Sequence, residues 1–176
     1  MHLGLLVLRL VVGLLFAAHG AQKLFGSFGG HGLKGTAGFF EMIGLKPGHI
    51  HAMAAGTMEF GGGLLLALGL VTPIAAAALI AVMTAAVITV HYQKGIWSTN
   101  GGFEYNLVLA AVAFALAAIG AGHWSLDHAF GISVHGTVWG IGALVAGGLG
   151  GVGAVVGGRL ADRERGSAAT GTPSTA

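Results

Sequence analysis

The sequence predicts an all-α membrane protein: a four-helix transmembrane bundle followed by a fifth, Gly/Ala-rich transmembrane helix. Two observations carry that prediction. Of 176 residues, 55% are hydrophobic and only 8% are charged, where a soluble domain carries about 25% charged residues. The apolar residues also run in long blocks, close to the roughly 20 that a helix needs to cross the hydrocarbon core, rather than at amphipathic spacing. A water-facing surface cannot be built from such a chain, so the bilayer is expected to be its solvent.

The first block covers residues 3–23 and stops at the run Phe25-Gly26-Ser27-Phe28-Gly29-Gly30-His31-Gly32. It has no basic leader and no clear small-x-small cleavage site, and Arg9, His19 and Lys23 punctuate it, so it reads as a retained helix rather than a secretory signal. Residues 36–45 are too few to span; the pair Phe39-Phe40 suits a short interfacial helix closed by Gly44 and Pro47. The turn at Thr72-Pro73 is so tight that the second block, 51–70, and the third, 74–92, must be antiparallel neighbours. A polar loop over residues 93–102, carrying Trp97 at the interface, leads to the fourth block, 103–121. The fifth, 132–158, contains the small-xxx-small pairs Gly147/Gly151 and Gly153/Gly157, which let membrane helices approach closely. From Arg159 the chain turns charged and then Ser/Thr/Ala/Gly/Pro-rich, and is expected to end in a disordered tail.

Lysine and arginine are retained on the cytoplasmic side of a membrane. Five spans with the N-terminus outside put Lys23, Lys34, Lys46, Lys94, Arg159, Arg163 and Arg165 in the cytoplasm, whereas the connections around Thr72 and Asp127 contain no Lys or Arg. Four spans would set the tail charges against the loop charges. The expected location is a bacterial inner membrane, multi-pass, with the C-terminus cytoplasmic. A net charge of only +2, with its basic residues scattered, provides no face for nucleic acid. The absence of cysteine excludes disulfides, thiolate metal sites and iron–sulfur ligation by this chain, so a redox role requires a bound cofactor or a partner.

Ionisable groups inside a span are costly and are read first as functional, with a named partner. Here they are Arg9, His19, Lys23, Glu59, His91 and Glu104, with Asn106 beside the last. At about 100° per residue, Arg9, His19 and Lys23 are expected roughly on one inward face of the first helix. Glu59, in the middle of the second, is the counter-charge for Lys23 or Arg9. Lys23 ends the first helix, His91 ends the third, and Glu104 with Asn106 begins the fourth, so a polar pocket is expected to open toward that side of the membrane. Gly61-Gly62-Gly63 leaves room for a close helix or a flat ligand. His49-x-His51 lacks a third ligand at motif spacing, and nothing in the spacing of His19 and His91 demands haem, so neither metal nor haem is expected.

Taken together, these residues resemble the DoxX family of bacterial membrane proteins, related to the small subunit of thiosulfate:quinone oxidoreductase. The resemblance covers residues 5–130. It rests on Leu8-Arg9-Leu10, His19-Gly20-Ala21-Gln22-Lys23-Leu24-Phe25, Gly38-Phe39-Phe40 with Gly44-Leu45, and Met58-Glu59-Phe60-Gly61-Gly62-Gly63-Leu64-Leu65-Leu66. Beyond these come the Met83 helix ending in Val90-His91, then Gly101-Gly102-Phe103-Glu104-Tyr105-Asn106, and finally Trp124-Ser125-Leu126-Asp127. It implies a four-helix core over 1–130, leaving 131–158 as the added helix and 159–176 as the tail. It also implies that Arg9, His19, Lys23, Glu59, His91 and Glu104 are the family's polar signature. The family's association with membrane redox complexes, in actinobacteria with superoxide dismutase and a thiosulfate sulfurtransferase, implies soluble redox enzymes as partners; self-association is left open. The leading functional expectation is a membrane subunit of a redox, oxidative-stress or sulfur-metabolism system. It would bind a quinone or similar hydrophobic ligand at Lys23 or His19, with Glu59 or His91 carrying the proton. The alternative is a non-catalytic scaffold that recruits soluble antioxidant enzymes. A transporter is disfavoured by the lack of inverted repeats and paired broken helices.

Overall fold

The computed structural model describes residues 2–170, and among them helices are connected only by turns and loops. The elements are α1 (His2–Phe25), α2 (Gly32–Met42), α3 (Gly48–Leu68), α4 (Thr72–Ala86), α5 (Glu104–Ile119), the single turn α6 (Leu126–Ala129) and α7 (Thr137–Thr170). A wider π turn, Val87–His91, carries α4 onward to a final 3-10 turn at Tyr92–Lys94. His2–Phe25, Thr72–Lys94 and Thr137–Glu164 are each long and apolar enough to cross a membrane. The chain is an all-α membrane protein. The 21 residues of α3 are interrupted by His49, His51 and Glu59, and α5 has 16 residues, yet both are packed inside the same bundle.

Along the bundle α1 packs on α3, α3 on α4, and α4 on both α5 and α7, while α2 lies across α3. Val12, Phe16, Leu66, Leu79 and Leu116 form the main apolar core, and Ile80, Ala113, Ala117 and Ala143 form a second cluster under α7. Outward the helices remain apolar: Leu3, Val7, Val11 and Leu14 on α1, and Val138, Ile141, Val145, Leu149 and Val152 on α7, are all exposed. Contiguous apolar surface of this extent belongs in lipid.

Small residues set how closely the helices meet. A β-carbon on Gly13 would stand 2.6 Å from the carbonyl oxygen of Gly63, and one on Gly63 would stand 2.5 Å from that of Gly13, so α1 and α3 touch backbone to backbone. The last of the Gly61-Gly62-Gly63 triplet is therefore used for helix contact. On α7 the buried positions among residues 137–164 are Gly140, Ala143, Gly147, Gly151, Val155 and Gly158, a narrow stripe at helical spacing. Substituted β-carbons at Gly147 and Gly151 would meet the carbonyl oxygens of Ala77 and Ala81 at 2.7 and 2.5 Å.

The ends of α7 differ from expectation. It begins at Thr137 because residues 131–136 form a loop bounded by Gly131 and Gly136, both at positive φ. It then continues beyond Gly158, where the disordered tail was expected to begin, as far as Thr170. Leu160, Ala161, Arg163 and Glu164 are good helix formers, and the connection between α2 and α3 holds this stretch. The Lys46 amide donates to the Gly158 carbonyl at 3.2 Å and its ammonium pairs with Asp162 at 2.7 Å. The expected tail residues 171–176 lie outside the described residues.

Candidate functional site

The end of the bundle where α1 and α4 finish contains a cavity of about 310 Å3. Its polar side chains are Lys23 from α1, His51 and Glu59 from α3, Thr89 and His91 from the π turn. Phe39 and Phe40 of α2, Met58 of α3, and Gly150, Gly151, Ala154 and Val155 of α7 close the remaining walls. Ala54, Ala55, Ala81, Ala85 and Ala86 supply small walls where larger side chains would fill the space.

Glu59 sits at the centre of the arrangement, 3% exposed, and forms an ion pair with the Lys23 ammonium. The pairing follows from helix geometry: Lys23 is one turn from the close approach of Gly20 to Phe60, so its chain comes down beside Glu59. An ionised carboxylate without that partner would be expensive to bury. Lys23 also lines a second, more polar cavity of about 470 Å3 with Gln22, His31, Thr36 and Phe39. Lys23 and Phe39 therefore separate the two spaces, with the lysine side chain 27% exposed.

His91 is oriented by the loop that follows it. Its Nδ1 lies 2.7 Å from the carbonyl oxygen of Gly101. A carbonyl only accepts, so Nδ1 carries the hydrogen and donates it, leaving Nε2 as the nitrogen that can take or release a proton. The π turn that presents His91 and Thr89 widens the helix at this point, as such turns commonly do beside functional sites. Thr89 Oγ1 donates to the Ala85 carbonyl at 2.7 Å, so its oxygen lone pairs remain the available valence.

The structure thus brings Lys23, Glu59 and His91 around one cavity, whose wall the other expected site residues do not form. His19 is exposed, its Nδ1 3.1 Å from Gln22 Oε1, because ten residues of helix turn it about 80° from Arg9. Glu104 accepts the amide and hydroxyl hydrogens of Ser98 at 3.0 and 2.8 Å and so organises the loop before α5. Asn106, about 200° further round that helix, is buried with its amide 3.4 Å from Met83 Sδ. Arg9 lies at the opposite end of the bundle, 1% exposed, with Nη2 donating to the Trp124 carbonyl at 2.5 Å. His51, Thr89 and the α7 wall were absent from the sequence-derived set. His51 stood out in the sequence only as half of the His49-x-His51 pair, and its offset of about 80° from Glu59 gave no sign that the two would share a cavity. No local signal marked the α7 wall, which depends on how the fifth helix docks.

A family model described as DoxX matches residues 4–92. CatD of Bacillus subtilis, named as a candidate oxidoreductase, is 34% identical over 115 residues, spanning 65% of this chain and 79% of that protein. An uncharacterized membrane protein of Mycobacterium tuberculosis is 29% identical over 130 residues, spanning 68% of this chain and 77% of its own length. No solved structure matches the chain.

Proposed function

The chain belongs to the DoxX family, and from that premise we propose that it is the membrane subunit of a redox system. In this reading it binds a quinone, or a similar small hydrophobic molecule, in the cavity beside Lys23 and Glu59. The observation that carries the reading is the cavity's composition: alanine, glycine, valine and phenylalanine walls, with ionisable groups confined to Lys23, His51, Glu59 and His91. Ligand sites are typically apolar clefts of about 300–1,000 Å3 with a few convergent polar groups. The oxidoreductase in the name of CatD supports the same class of chemistry.

A quinone, when bound, supplies the two-electron chemistry; the electrons come from a soluble redox partner. The residues of this chain hold and move protons. The Lys23 ammonium donates a hydrogen bond to a carbonyl oxygen of the ligand. The two protons that would balance two electrons come from the water of the polar cavity on the far side of Lys23; the Glu59 carboxylate and His91 Nε2 take them up and pass them to the ligand. Phe39 and Phe40 would supply an aromatic wall to a ring bound there. In the five-span orientation with the N-terminus outside, this end of the bundle is cytoplasmic, where a soluble partner can dock.

Titration of the purified protein with a short-chain ubiquinone and menaquinone tests the site. Wild-type protein is expected to bind, and Glu59→Gln or His91→Ala to weaken binding about tenfold, the value of one lost hydrogen bond to a charged group. If both variants bind like wild type, the cavity is not the site.

A further inference from the structure

The end of the bundle remote from that cavity contains a charged group with unfilled valence. Arg9 is 1% exposed, and among its donors Nη2 reaches the Trp124 carbonyl while Nε and Nη1, both buried, have no hydrogen-bond partner. The neighbouring carboxylate does not supply one. Asp127 Oδ1 accepts the Val71 amide at 2.7 Å, and Oδ2 accepts the Thr72 amide and hydroxyl at 3.2 and 2.7 Å. No ion pair links it to Arg9 among the described residues. The guanidinium is held in place by backbone instead: Gly69, at φ 65°, leaves the space that Nη1 occupies, where any β-carbon would overlap it.

Arg9 lines a groove of about 350 Å3 with Leu6, Leu10, Leu68, Trp124 and Ser125. Leu10, Leu68 and Trp124 are exposed on the outside of the bundle, where lipid lies. Arg9 is seven residues into α1, about 10 Å from its start, which is near the headgroup layer rather than mid-bilayer. Tryptophan belongs at that depth.

We propose that this groove is a binding site for an anionic phospholipid. The phosphodiester takes the free donors of Arg9 as the groove widens at its Trp124–Ser125 wall, and an acyl chain lies along Leu6, Leu10 and Leu68. A guanidinium suits this role because its planar donor set matches phosphate oxygens and because it stays charged when buried. The site is independent of the quinone cavity.

The test uses the full chain with Trp97→Phe and Trp139→Phe, so that Trp124 is the single fluorophore. It is placed in phosphatidylcholine vesicles doped with either brominated phosphatidylglycerol or brominated phosphatidylcholine. The anionic lipid is expected to quench Trp124 at about tenfold lower doping, Arg9→Gln to remove that preference, and Arg9→Lys to retain part of it. Equal quenching by the two lipids in the Arg9 protein overturns the proposal, and that comparison needs no further variant to fold. A preference that survives in Arg9→Gln overturns it as well. Displacement of the brominated anionic lipid by millimolar inorganic phosphate would mean that the site takes free phosphate, and the lipid assignment would fall.

Discussion

Each end of the bundle sets one cation beside a buried carboxylate, and the two ends use them in opposite ways. Lys23 and Glu59 bond to each other, side chain to side chain, on the wall of a cavity. Arg9 and Asp127 bond instead to main chain: Arg9 to the Trp124 carbonyl, Asp127 to the amides that open α4. Asp127 also donates its own amide to the Gly69 carbonyl at 2.8 Å, so the segment after α5 is laced to the turn between α3 and α4. A carboxylate committed to three backbone and hydroxyl donors is a structural clamp. A carboxylate whose partner is a partly exposed, flexible lysine can exchange that partner for a ligand.

The largest effect is expected at the clamp. Asp127→Ala strands the buried amide and hydroxyl of Thr72 and the half-buried amide of Val71, and should cost on the order of 3 kcal/mol in detergent unfolding, with quinone affinity of the folded fraction unchanged. A large loss of affinity with little loss of stability would reverse the roles assigned to the two ends. Next, Gly151→Val pushes α7 off the Ala81 carbonyl and should cost about 1–3 kcal/mol. Because the same helix walls the cavity, affinity should fall with it. Exchanging the pair, as Lys23→Glu with Glu59→Lys, restores the ion pair but moves the ammonium to the middle of α3. Folding should recover to within about 1 kcal/mol of wild type while ligand binding does not. Recovery of both, read by thermal unfolding and by binding, would favour the non-catalytic scaffold. The smallest effect belongs to Asp162→Asn, which removes a half-exposed pair with Lys46 and should change stability by no more than about 1 kcal/mol, falling further with salt.

How much of the site could be read from the chain depended on sequence distance. Glu59 was legible because a carboxylate in mid-span requires a partner, and Lys23 was one of only two cationic choices on the first helix. Which of the two it would be was settled by the Gly13/Gly63 and Gly20/Phe60 approaches, which set the height of α1 against α3. His19, a turn from Lys23 and about 80° round the helix from Arg9, lies within electrostatic range of Glu59 but outside the cavity wall. Glu104 and Asn106 were grouped with the pocket by depth alone, and depth does not say which way a side chain points. The loop around Ser98 took the first and Met83 the second.

By itself, the sequence determined the solvent, the helices and their order, because the length of apolar runs and the position of glycine and proline act over a few residues at a time. The π turn at Val87–His91, the docking of α7 along Ala77 and Ala81, and the separation of one polar signature into a cavity at one end and a clamp at the other were decided only by tertiary structure. The physical reason is that burial and hydrogen-bond valence are shared among residues far apart in the chain. Arg9 and Trp124 are 115 residues apart and Asp127 and Val71 are 56 apart, and no local pattern records which of them will meet.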